Sequence, residues 1–370
     1  MSMILDGTNG VTYPGGKVQP DASSPYVMKN RIINGAMVID QRNAGSSYST
    51  TPTDGIYTLD RWQAVFSQAN KFTVQQNAGS VTPPTGFTNY LGITSSSAYS
   101  SASGDYFYIH QKIEGYNAAD LDFGKSTAKT ITISFWVRSS LTGTFGGALA
   151  NSDNSRNYAF SYTISSANTW EQKSVTIAGD TSGTWATTNG IGLRVLFNIG
   201  SGSSLLTTGG SWGSTWVSGV TGSTAVTGTN GATFYITGVQ LEVGSTATAF
   251  EWRPYGMELS LCQRYYAKSW DTNYAVGTLA GAEGVVDIYV PNGGTGQFRT
   301  TVFWPVEMRT DPTVVAYDNT NPPTAGKVYK GGSGKTATYG TLGTRAGTIG
   351  TADATSANEL YFYWTASAEL

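Results

Sequence analysis

Residues 234–266 read FYITGVQLEVGSTATAFEWRPYGMELSLCQRYY, and the rest of the chain is arranged around them. The first part alternates like a long strand, with Phe234 and Ile236 on one parity and Val239, Leu241 and Val243 on the other. One extra residue would bring both sets to the same core, and Gly238 is the position that tolerates such a bulge. After Pro254 the pattern becomes helical. It predicts a helix over 257–268, with Glu258 in the first turn and Arg264 and Lys268 in the last, as the helix dipole favours. At ~100° per residue, Met257, Leu259, Leu261, Cys262, Tyr265 and Tyr266 cover an arc of about 200°. A helix resting on one sheet needs about half of that. The surplus predicts a helix wedged between two surfaces, one from another subunit, with Met257, Leu261, Tyr265 and Tyr266 at the contact.

The strings 238–244 (GVQLEVG), 249–254 (AFEWRP), 258–259 (EL) and 261–266 (LCQRYY) resemble a block of bacteriophage tail fibre and minor tail proteins. In that family the block joins a jelly-roll module, similar to carbohydrate-binding modules, to a C-terminal tip. The resemblance implies a virion location, other tail or fibre proteins as partners, and an N-terminal arm that attaches the module or intertwines with symmetry mates.

The composition agrees with a turn-rich β protein: 46 glycines, 22 tyrosines and 10 tryptophans among 370 residues, of which 12% are charged. Basic and acidic residues nearly balance, 22 against 24, and no basic run occurs, which argues against a nucleic-acid partner. The lone cysteine, Cys262, excludes an intrachain disulfide and falls on the helical arc as a small buried apolar residue. Durability must then come from packing or assembly. No leader and no membrane-length apolar run is read, so no membrane insertion is expected. A virion protein assembled in a host cytoplasm needs neither.

Residues 1–29 contain too few apolar side chains for a core and form the expected arm. A first strand is expected through Met37, Val38 and Ile39. Period-two alternation then recurs at 106–113, 131–138, 158–164 and 193–199, predicting one antiparallel sandwich over 30–256. In 106–113, Phe107, Ile109, Gln111 and Ile113 oppose Tyr106, Tyr108, His110 and Lys112. The low-complexity run 200–233 contains Trp212 and Trp216, which either pin a long loop or offer a sugar-stacking platform. Beyond the helix, alternating runs near 286–290, 298–304 and 360–364 predict a second, small β-sandwich tip over 269–370. The last run is apolar on both faces, so it must be covered twice.

Catalytic patterns are sparse. His110 is the single histidine and no GxSxG elbow accompanies it, which leaves no nucleophilic triad. One His and one Cys cannot close a zinc site. Carboxylate pairs such as Asp120 with Asp122 or Asp54 with Asp60 are conceivable for glycosidic cleavage, or else are solvated turn acids. These acids, with Glu242 or Glu251, are candidate ligands of a structural calcium; no other cofactor is expected. Sugar recognition uses flat rings, so Trp62, Trp136, Trp185, Trp212, Trp216 and Trp270 are candidates by type. The expected glycan-binding residues are Trp136, Trp212, Trp216, Tyr361 and Tyr363. Together these readings predict an all-β chain: arm 1–29, jelly roll 30–256, linker helix 257–268 and tip 269–370. It is expected to be a homotrimeric, non-enzymatic tail fibre component that adsorbs to a bacterial surface glycan, with the receptor site on the tip. A purely structural fibre or decoration role and a glycan depolymerase are the alternatives.

Overall fold

Two runs with matching alternation satisfy each other: strand Ile131–Ser139 pairs antiparallel with strand Thr233–Val243. Their register slips between Ser134 and Trp136, where Thr237–Gln240 supplies one residue more than its partner. Gly238 lies at that slip with φ +60, so Phe234, Ile236, Val239 and Leu241 all reach the core. Val243, expected to join them, is instead half exposed near the end of the strand.

A computed structural model describes residues 28–49, 55–279, 281, 283–289, 298–353 and 359–370, with the backbone of Ile4–Asp6, Gly10–Thr12 and Val18–Gln19. Those three short strands form an antiparallel sheet. The side chains that would carry an attachment role for the arm lie outside the described residues, as does Asp54.

The body is a two-sheet antiparallel sandwich. One sheet has six strands in the order Glu171–Ile177, Ile131–Ser139, Thr233–Val243, Leu91–Ser95, Phe72–Gln76 and Tyr48–Ser49. The other has seven: Trp212–Gly213, Asn157–Ile164, Gly143–Ala150, Ile191–Asn198, Phe107–Glu114, Trp62–Phe66 and Ile56–Leu59. Facing residues such as Ile133, Phe135, Ile109, Phe197 and Phe160 form one continuous core.

The first strand expected over 37–39 does not form. Asn34 and Met37 adopt positive φ, and the Asn34 side chain donates to the carbonyls of Ile39 and Asp60. The segment is a hydrogen-bonded plug beneath the helix. That helix spans Tyr255–Gln263, shorter than expected, and Tyr266–Lys268 is a strand on the terminal strand Glu359–Ser367. Tyr265 and Tyr266 therefore leave the helical arc. The surface covering that arc is the chain's own: Cys262 and Tyr265 pack on Ile33 and Ile39, with Leu259, Leu261 and Leu370 around them.

The tip is a second β assembly of six and three strands around Val302, Trp304, Ile349, Leu360, Phe362 and Trp364. Its terminal strand is covered on both faces, in part by Trp270, which stacks on Tyr363 with centroids 4.5 Å apart at 5°. Body and tip are locked by buried charge. Glu369 pairs with Arg61 and, at 3.0 Å, with Arg42, whose guanidinium groups lie over Tyr265 and Tyr266 at 3.6 and 3.7 Å. Arg264 and the Tyr265 hydroxyl both reach Glu114 of the body, at 2.7 and 2.6 Å.

Candidate functional site

Alternation in strand Phe107–Glu114 sends Phe107, Ile109 and Ile113 inward and leaves Tyr108, His110 and Lys112 on the outer face of the seven-stranded sheet. Cross-strand pairing then assembles a surface around them. Gln63 stands opposite His110 and Val65 opposite Tyr108 on one side; Arg194 opposes Lys112 and Leu196 opposes His110 on the other. Ala148 and Ala150 continue the rows and keep the floor low. The long segment after the Ile191–Asn198 strand folds back over this face. Trp216 lands on Val65, Tyr108, Ala148, Ala150 and Leu196, its ring edge-on to Tyr108 at 6.0 Å.

Between Trp216 and the strand Phe107–Glu114 lies an open groove of about 250 Å³, lined by Tyr106, Tyr108, His110, Lys112, Asn154, Arg194 and Trp216, with Gln63 and Val65. No carboxylate is in the lining. Gln63 Nε2 donates to the Gly55 carbonyl at 3.0 Å, which turns Oε1 toward His110 Nε2. The imidazole is thus protonated on Nε2, and Nδ1 is its acceptor. Burial, then the charges of Lys112, Arg194 and Arg61, holds His110 well below its usual range, so it is neutral at pH 7. Burial and the neighbouring Arg194 bring Lys112 down to about 8. Arg194 donates to Asn154 Oδ1 at 3.0 Å and the Ser152 carbonyl at 2.7 Å.

The five expected glycan-binding residues are not brought together. Trp216 walls the groove. Trp212 sits in an aromatic cluster with Phe123, Tyr158 and Trp185 and donates to the Ala178 carbonyl at 2.8 Å, which makes it the pin of the loop. Trp136 is half-buried on the six-stranded sheet, where a Cβ on Gly238 would meet it and Phe87. Tyr361 is half-exposed on the tip, and Tyr363 is buried under Trp270. Among the other tryptophans, Trp62 and Trp270 are buried, while Trp185 donates to the Ser182 carbonyl. The groove residues Tyr106, Tyr108, His110, Lys112 and Arg194 were outside the expected set. The signal for four of them was present: two rings, an imidazole and an amine on the non-core parity of the run 106–113.

The expected subunit contact also divides. Met257 is exposed and Leu261 half-buried, but Tyr265 and Tyr266 are buried inside one chain. The acids proposed for cleavage or calcium are committed locally. Asp120 pairs with Arg31 at 2.5 Å, Asp122 with Lys125 at 2.8 Å, and buried Asp60 accepts from Gln41. Glu242 accepts from Gln240 and Thr248, and Glu251 from the backbone of Lys29 and Asn30. Among the described residues, no three His, Cys, Asp or Glu side chains converge as metal ligands.

No family model matches the chain, and no curated protein matches it. Several solved structures are similar over part of it. The enzymatically active domain of bacteriophage CBA120 tailspike protein 4 is 12% identical over 58% of this chain, with a TM-score of 0.33, and the match spans 22% of that chain. A putative sugar binding protein from Bacteroides thetaiotaomicron is 12% identical over 58% of this chain and 100% of its own, with a TM-score of 0.33. A family 11 carbohydrate-binding module from Clostridium thermocellum is 11% identical over 55% and 98%, with a TM-score of 0.27. No functional statement follows from similarities this low.

Proposed function

We propose that this chain is a non-catalytic component of a bacteriophage tail fibre or related virion appendage that adsorbs to a bacterial surface glycan through the groove beside Trp216. The observation carrying this reading is the groove: an open trough with a tryptophan wall, two tyrosine rings, and amide, imidazole and cationic groups along its length. Flat rings suit the apolar faces of pyranoses, and the polar groups suit their hydroxyls. Recognition without cleavage is supported by the carboxylate-free lining, since glycosidic hydrolysis ordinarily uses two acids. The virion location is supported by the resemblance of the 238–266 block to tail fibre proteins. The body is favoured over the expected placement on the tip because Tyr363 is covered by Trp270, which leaves Tyr361 with Tyr329, 6.3 Å away, as its ring neighbour.

Assembly as a homotrimer belongs to the same proposal. Trp252, Tyr255 and Met257, close in sequence at the start of the helix, are 54%, 53% and 45% exposed, large apolar side chains that a second copy would cover. Trimerisation also suits weak sites. One shallow sugar site binds at about millimolar strength, near −4 kcal/mol, and linked sites raise avidity by ~10²–10⁴.

A glycan panel read with the full chain tests the site. Trp216→Ala should lose about tenfold in affinity, ~1.4 kcal/mol, whereas Trp136→Ala and Tyr361→Ala should bind as the parent does. Retention by Trp216→Ala would move the site elsewhere. Light scattering should find three chains per particle, and Met257→Glu should dissociate them; a parent chain that stays monomeric at micromolar concentration contradicts the assembly.

A further inference from the structure

The groove is electrostatically one-sided. Lys112 and Arg194 are direct cross-strand partners, so two like charges share one row of its floor, an arrangement that repels unless an anion lies nearby. Neither forms an ion pair with a carboxylate side chain among the described residues. Arg194 spends its terminal nitrogens on neutral oxygens of Asn154 and Ser152, and its buried Nε has no partner. Lys112 donates to an oxygen of Leu370 at 2.6 Å. The acid whose charge reaches Lys112 is Glu369, already shared between Arg42 and Arg61. Beside them His110, 3% exposed, keeps an acceptor, Nδ1, that is also without a partner.

Two adjacent cations with no carboxylate side chain bonded to them, and an imidazole acceptor without a partner, describe a complementary ligand: an anionic group together with hydroxyl donors. We propose that the groove selects an acidic saccharide, in which a carboxylate-bearing sugar places its anionic group at Lys112 and Arg194 while a ring face rests on Trp216. Charge-assisted contacts at a guanidinium are the strong class of hydrogen bond, and the carboxylate relieves the repulsion along the row. This inference rests on the groove being the carbohydrate site, and its test separates the two.

The experiment is calorimetry of the full chain with oligosaccharides containing glucuronic, galacturonic or pyruvylated units, each compared with its carboxyl-reduced counterpart. The acidic form should bind about tenfold more tightly, and the difference should shrink as salt rises from low to physiological ionic strength. Arg194→Gln and Lys112→Gln should remove the difference. Because either substitution could disturb the sheet, the salt dependence of the unmodified protein stands as the independent readout. Equal binding of both forms, weakened about tenfold by Trp216→Ala, overturns the acidic preference and leaves the groove in place. Binding of either form that ignores Trp216→Ala overturns the groove reading itself, and binding of neither form overturns both.

Discussion

Asp105 illustrates how single side chains hold the loops that frame the body. Its carboxylate accepts from Ser67 Oγ at 2.7 Å, Gln68 Nε2 at 3.0 Å, the Tyr99 hydroxyl at 2.7 Å and the Ala102 backbone N–H at 2.8 Å. Burial opposes its ionisation, but these donors outweigh burial and hold the group down at about 2. Because the folded value lies below the unfolded one, the unfolded chain binds the extra proton. The stabilisation is therefore complete above about pH 4 and disappears as pH falls toward 2. Acid titration of stability should show this slope and Asp105→Asn should flatten it; an unchanged slope contradicts the assignment. The groove residues show what single positions reveal in the sequence. Trp216 and Trp212 lie in the same polar run, and nothing local distinguishes the wall of a groove from the pin of a loop. That difference depends on where Phe123, Trp185 and Tyr108 lie in space.

At the scale of elements, most strands and the presence of one short helix were legible, whereas the helix's end and surroundings were not. Alternation over 131–137, 158–164 and 193–199 forecast which side chains enter the core, because a half-buried strand imposes period two on its own sequence. The parity switch at Gly238 was readable for the same reason. A Cβ there would lie 2.6 Å from Phe87 Cζ at a φ of +60, so Gly238→Ala should destabilise by about 2 kcal/mol in chemical denaturation. A neutral substitution would show that the bulge relaxes freely. The helix's end was misplaced because its apolar run continues past it: Cys262 and Tyr265 both pack on Ile33 and Ile39, while Tyr266 belongs to the strand that follows. The groove could not be read from one element, since Arg194 meets Lys112 only through strand order.

The whole molecule depends on its junction. Arg61 is buried against Glu369, and Arg309 donates to the carbonyls of Ala368, Glu369 and Asn189, so the C-terminal segment clamps the tip to the body. Glu369→Ala leaves the Arg61 charge buried without its partner and should cost about 3–5 kcal/mol. Hydrogen exchange should rise in Tyr266–Lys268 and its partner Glu359–Ser367; exchange confined to the terminal residues would make the clamp dispensable. In the proposed trimer this junction would set the direction in which each body presents its groove. The measurement that bears most directly on the account is a structure of the full chain with a bound oligosaccharide. The expected result is a pyranose against Trp216, spanning Tyr106, Tyr108 and Arg194. A sugar seated at Trp136 on the opposite sheet, or at Tyr361 on the tip, would contradict it.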